Sequence, residues 1–173
     1  MPVPLQIRLM TASDFDAVWP ILRGVVQARE TYAWDPEMDR AEGWRLWAAL
    51  PRATYVAERD GVILGSYYIK LNAGGPGDHV CNAGYIVAPE ARGQGVAGAL
   101  CAHSLAAARR MGFAAMQFNA VVASNHVAVR LWRKHGFIIV GTVPGAYRHA
   151  TLGRVDCHIM YRPLDDLPEQ TGK

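Results

Sequence analysis

The chain has 173 residues, of which 51% are hydrophobic and 19% charged, with a net charge of +3. That balance suits one globular domain over 1–173 with a substantial core, excludes a disordered chain, and gives too little positive charge to argue for nucleic acid. No apolar run approaches the roughly 20 residues of a membrane helix, and the N-terminal MPVPLQIRLM does not read as a signal peptide. Three scattered cysteines (Cys81, Cys101, Cys157) suit a reducing cytoplasm. His79 with Cys81, and Cys157 with His158, lack metal-site spacing, so no metal is expected.

In chain order, Gln6 to Met10 alternates like a short strand, and Thr11 to Asp14 resembles a capping box. A helical pattern follows to about Glu30, interrupted by Pro20. ETYAWDPEMD breaks that pattern before a shorter helix, from about Arg40 to Leu50. TYVAERDGVILGSYYIKL reads as a hairpin turning at Asp60-Gly61. After the loop NAGGPGDH, Val80 to Val87 is a third strand, and Gly95 to about Gly112 is a helix. AAMQFNAVV is a strand, Asn125 to His135 a helix, and FIIVGTV and VDCHIMYRPL close the chain as strands. The order is strand, two helices, three strands, helix, strand, helix, two strands. It predicts an α/β (α+β) fold with a mixed sheet flanked by helices.

APEARGQGVAGAL, residues 88–100, contains a literal G-x-G-x-x-G. A dinucleotide fold would run its first strand almost directly into the first glycine and place an acid about 20 residues on. Here five residues separate Val87 from Gly93, three strands precede the loop, and the next strand offers Gln117 and Asn119 but no carboxylate. A kinase-type phosphate loop fails too, since no Gly-Lys-Ser/Thr follows. What remains is a strand, a glycine-rich turn and a helix start, which aim backbone amides at an anion. Between Glu90 and Asp156 the chain has no carboxylate, while eight Arg or Lys residues fall there. That one-signed stretch either attracts a polyanion or forms solvated helix faces.

Arg92-Gly93-Gln94-Gly95-Val96-Ala97 resembles the R/Q-x-x-G-x-G/A signature of the GCN5-related N-acetyltransferases (GNAT). Asn125, Ala128, Gly136 and Phe137 match the family's later N-x-x-A…GF pattern. The resemblance covers roughly Gln6 to Pro163 and implies the GNAT fold, with a mostly antiparallel sheet and acetyl-CoA as acetyl donor. It implies that the amides of Gln94, Gly95, Val96, Ala97 and Gly98 hold the pyrophosphate, near Arg92. The backbone near Ile86 and Val87 would pair with the pantetheine arm as an added strand. Asn125 would bond that arm, or serve as a plain helix N-cap, or both. A possible homodimer is also implied, with no interface marked in the sequence.

Two departures stand out. The family commonly has Tyr seven residues after that Asn, as the acid for the departing thiolate; here it is Trp132, which is not a usable proton source. Tyr85 and Tyr147 are possible substitutes. The strand VCNAGYIV also lacks the carboxylate many relatives carry, which leaves Glu30, Asp35 and His79 as residues that could reach a site. Asn inside a strand is disfavoured, yet Asn82 and Asn119 each interrupt one. CNAGYIV, RGQGVA and FNAVVASN together resemble the fungal acetyltransferases of azetidine-2-carboxylate. That likeness makes Asn82 and Asn119 the candidate catalytic residues, Asn119 holding a substrate carboxylate and Asn82 the amine and reacting carbonyl. Otherwise each caps a bulge where strands splay. Tyr32 and Trp34 either wall the acceptor pocket or belong to the core. The reading is transfer of acetyl to the amine of a small molecule, an amino or imino acid among them, in a ternary complex. The alternatives are a protein or peptide N-acetyltransferase and a non-catalytic acyl-CoA sensor.

Overall fold

A computed structural model describes residues 3–168 of the chain. Its strands are β1 (Gln6–Leu9), β2 (Ala53–Arg59), β3 (Val62–Leu71), β4 (Val80–Val87), β5 (Ala115–Val122), β6 (Ile138–His149) and β7 (Gly153–Pro163). Its helices are α1 (Phe15–Ala28), α2 (Arg40–Trp44), α3 (Val96–Arg110) and α4 (His126–Lys134), with α2 continued by a wider π turn over Arg45–Ala49. Element order and type agree with the sequence reading. At the entry to α1, the Asp14 carboxylate accepts from the Thr11 N–H and hydroxyl and from Arg8.

The strands form one sheet in the order β1-β2-β3-β4-β5-β7-β6. Neighbours are antiparallel except β4 and β5. Because strand side chains alternate, each sheet face has its own core. Tyr67, Ile69, Met116 and Phe118 pack under Leu100, Cys101, Leu105 and Ala108 of α3. On the opposite face Val56, Tyr68 and Ile86 pack under Phe15, Val18, Leu22 and Val26, the apolar stripe of α1.

The parallel pair is where the sheet opens. β4 and β5 are in register only at Val80 with Ala115 and Cys81 with Met116. At the next position the Asn82 side chain takes over, its Nδ2 donating to the Gln117 carbonyl at 2.9 Å. Further along β5, Asn119 and Ala120 stand against the single residue Ile159 of β7, a bulge between Phe118 and Val121. Bulges bend a strand and sharpen its twist, so β5 stays with β7 and leaves β4.

The last hairpin is longer than the sequence reading. The sequence pattern places the sixth strand over FIIVGTV, residues 137–143. The strand instead runs to His149. β6 is an edge strand, where a residue without an N–H is tolerated, and the irregularity between Val143 and Tyr147 absorbs Pro144-Gly145. Gly145 sits there at φ +60° and donates its N–H to Asp156 Oδ1.

Candidate active site

The parting strands enclose a cleft of about 690 Å³. One end faces the glycine loop. Gly93 and Gly95 adopt φ of +75° and +79°, conformations that cost other residues about 1–2 kcal/mol. Gly95 is the N-cap of α3 and has no side chain to cap it, so the first-turn amides of Val96, Ala97 and Gly98 keep the unpaired state of a helix start. Gln94 differs: its N–H lies 3.3 Å from the Ala91 carbonyl, and its side chain braces the loop. Gln94 Nε2 donates to the Glu90 carbonyl, and Oε1 accepts from Arg59. A Cβ on Gly98 would touch Leu131 and His135 at 3.7 Å, so its open side faces α4. Arg92 and Ala97 line the cleft, whereas the Val96 side chain is buried in the core.

The middle of the cleft is the free flank of β4. Ala88 donates to Leu64, and Asn72 to Val80, which puts even-numbered β4 residues in the hydrogen-bonded pairs with β3. The backbone groups of Tyr85 and Val87 therefore face the gap without a strand partner. Val87 offers its N–H and C=O there; Ile86, the other residue expected to pair, turns its backbone to β3. Tyr32 already uses part of this flank, donating its hydroxyl to the Tyr85 carbonyl at 3.0 Å. Across the gap Asn125 Oδ1 caps α4 by accepting from Ala128 N–H, leaving its Nδ2 on a residue that lines the cleft. Trp132 forms the wall, with ring centroids 4.9 Å from Tyr85 and 5.1 Å from Phe118.

The other end lies on the α1 face and gathers Tyr32, Trp34, Tyr68, Asn82 and Asn119. Trp34 stacks on Tyr68 at 6.5 Å and meets Trp47 edge-on, so Tyr32 and Trp34 are at once pocket wall and rim of the core. Asn82 Oδ1 accepts a long 3.4 Å bond from Tyr68. Asn119 Oδ1 accepts from Gln117, and one Nδ2 proton goes to Asn72 at 2.8 Å, leaving the second. Both Asn residues thus sit where the strands splay, and both also line the cleft. Three ties hold the 29–34 wall: Tyr32 to Tyr85, the Tyr147 hydroxyl to the Tyr32 carbonyl, and Ala150 N–H to the Arg29 carbonyl.

A family model described as acetyltransferase (GNAT) family matches residues 19–137. The chain belongs to that family. A GCN5-related N-acetyltransferase from Kribbella flavida is 47% identical and superposes with a TM-score of 0.88, over 92% of this chain and 97% of that one. N-acetyltransferase aca1 of Schizosaccharomyces pombe is 38% identical over 98 residues, or 56% of this chain. The match spans 47% of aca1, about half its length. A phosphinothricin acetyltransferase from Sinorhizobium meliloti, solved in complex with acetyl-CoA, shares the fold at 21% identity and a TM-score of 0.81, over 92% of this chain and 88% of that one.

The Tyr85 hydroxyl is buried, bonded to Ser104 at 2.6 Å, and burial drives its pKa well up. Tyr147 is committed to Tyr32, and burial raises it too. Neither is poised as an acid. Of the three residues considered as bases only Glu30 lines the cleft; Asp35 caps its own turn by accepting from Glu37 N–H. Sequence reasoning missed Tyr68, Gly84 and His149, all cleft-lining. Tyr68 and Gly84 sit in plain strand patterns, and the end of the last hairpin carries no motif. No helix among the described residues is long and apolar enough to cross a membrane.

Proposed function

We propose that this GNAT protein transfers the acetyl group of acetyl-CoA to the amine of a small molecule, with an amino or imino acid as the class that fits best. The observation that carries the reading is the parting of β4 and β5 beyond Cys81 and Met116. It joins uncapped helix amides, an unpaired strand flank and an aromatic, amide-lined pocket in one cleft.

The amides of Gly95, Val96, Ala97 and Gly98 suit a pyrophosphate, aided by the helix dipole and Arg92. The Val87 N–H and C=O suit the amides of a pantetheine arm lying as an extra strand. Acetyl-CoA supplies a thioester, whose carbonyl becomes an oxyanion as an amine attacks. A preorganised donor on the β4 flank, such as an unpaired backbone N–H, meets that charge. Asn82 and Asn119 would orient the acceptor, Asn82 toward the reacting amine and Asn119 toward a carboxylate. Orientation alone can lower such a barrier by about 7–11 kcal/mol. Collapse of the oxyanion would break the C–S bond: a thiol with a pKa near that of free Cys, about 8.5, departs as thiolate without a tyrosine acid. The proton shed by the attacking nitrogen goes to solvent or to that thiolate. The three ties that close the 29–34 wall favour a small acceptor over a peptide lying in an open groove.

Thiol release from acetyl-CoA tests this, using amino acids, cyclic imino acids, polyamines and short peptides, with Asn119→Ala in parallel. The expected result is turnover on a carboxylate-bearing small amine, reduced at least tenfold in kcat/KM by the variant. Turnover confined to peptides would replace the reading with protein acetylation. Tight acetyl-CoA binding with no turnover would leave a sensor.

A further inference from the structure

We propose that His149 is a specificity-determining residue that donates its Nε2–H to the carboxylate of the acceptor. This rests on the small-amine reading above. His149 ends β6 and lines the cleft. Its other ring nitrogen is spoken for: Nδ1 receives the backbone N–H groups of Thr151 and Leu152 at 3.2 and 3.3 Å, with the Thr151 hydroxyl at 3.4 Å. A nitrogen that accepts two backbone donors carries no proton, so the neutral ring is protonated at Nε2. Nε2 has no partner among the described residues. The hairpin loop thus fixes the tautomer and turns the imidazole into a hydrogen-bond donor. The same fixation argues against His149 as the general base, because freeing an Nε2 lone pair would forfeit both loop bonds.

The surroundings indicate what the donor meets. Ala150 N–H is bonded to the Arg29 carbonyl, so His149 and Glu30 lie on adjoining segments. Glu30 is the one carboxylate among the described residues that line the cleft. A donor beside a carboxylate complements a molecule carrying both an acid and an amine. An acceptor without a carboxylate would gain nothing from the His149 donor.

The informative variant is His149→Asn. A short Asn carboxamide can accept from the N–H two residues on, as in an Asx turn, so it keeps the hairpin while losing the distal donor. His149→Phe removes both, and thermal melts of the two variants separate hairpin loss from donor loss. Steady-state kinetics would compare L-proline with pyrrolidine, and azetidine-2-carboxylate with azetidine. For the carboxylate-bearing partner, His149→Asn should raise KM about ten- to a hundredfold with kcat within about threefold, the range of one hydrogen bond to a charged group. KM for the amine lacking the acid should not move. Equal changes on both members of a pair, or none on either, would overturn the inference while leaving small-amine acetylation intact. No turnover by the wild type on any small amine would remove the parent reading, and this inference with it. Nitrogen-15 NMR of the imidazole gives a readout independent of turnover: the Nε2–H tautomer is expected, and Nδ1–H would refute the assignment.

Discussion

Gly84→Ala is the sharpest perturbation of the acceptor wall. Gly84 pairs with Tyr68 across β3 and β4 and lines the cleft. Its φ is not positive, so only space is at stake. A Cβ there would lie 2.6 Å from Tyr68 Cε1, 2.8 Å from Tyr68 Cζ and 2.7 Å from the Tyr32 hydroxyl oxygen. The Tyr68 ring cannot yield easily, being stacked on Trp34 and met edge-on by Trp47 at 5.0 Å. The Tyr32 hydroxyl is the freer party, and moving it breaks its bond to Tyr85. Overpacking costs about 1–3 kcal/mol, and the lost hydrogen bond about 1 kcal/mol more. A total of about 2–4 kcal/mol corresponds to a fall in Tm of roughly 4–16 °C in a domain of this size.

The assay is urea denaturation together with the two substrate KM values. KM for the acceptor should rise several-fold while KM for acetyl-CoA stays put, because the loop–helix end lies elsewhere in the cleft. Tyr32→Phe in the same background removes the atom at 2.7 Å, so the double variant should be less destabilised than the sum of the singles. A Gly84→Ala protein within about 0.5 kcal/mol of wild type, with unchanged acceptor KM, would refute the reasoning.

Gly95→Ala places a side chain at φ +79° on the N-cap of α3. The strain, about 1–2 kcal/mol, should appear as a several-fold rise in the acetyl-CoA Kd by calorimetry, with acceptor specificity unchanged. Asp14→Asn tests the far edge of the sheet. The Arg8 guanidinium, helped by the Thr11 N–H, holds the Asp14 carboxyl well below the usual carboxylate range. A depressed folded value means the contribution is complete above the unfolded pKa and fades as pH falls toward the folded one. Asp14→Asn should therefore lose about 1–2 kcal/mol at pH 7. The gap in urea midpoint between variant and wild type should narrow steadily as pH falls below about 4.

The glycine loop, the helix it opens and the two strand asparagines were legible because each breaks a local rule. A glycine N-cap leaves open the helix amides that Ser or Asp would bond, and Asn inside a strand is disfavoured; both occur at the cleft. The element order was legible from periodicity. The length of β6 was not, since Pro144-Gly145 signals a turn in sequence and only an edge position lets a strand carry it. Gly84 and His149 were invisible for a different reason. Their importance comes from partners far along the chain for one, Tyr32 and Tyr68, and from the hairpin loop for the other, and neither departs from its local pattern. The direction of the Ile86 and Val87 backbones likewise depends on the pairing phase with β3, which composition does not encode.

Trp132 and the missing strand carboxylate then acquire a common explanation. Trp132 packs against Tyr85 and Phe118, while Tyr85 and Tyr147 are locked into structural hydrogen bonds with burial opposing their ionisation. Neither tyrosine is free to give up a proton, and His149 Nδ1 is taken up by the backbone of its own hairpin loop. A reaction whose leaving group departs readily as an anion has little use for a strong acid, but it depends heavily on where the amine sits. On the proposed reading the cleft serves that end: Asn82 pins the vertex of the splay, Asn119 is steered by two amide neighbours, and a tied loop closes the wall. Rigid amide donors cost little reorganisation when charge develops, whereas a titrating residue would narrow the working pH range. On the proposed reading, positioning of the amine is what these residues contribute to acetyl transfer.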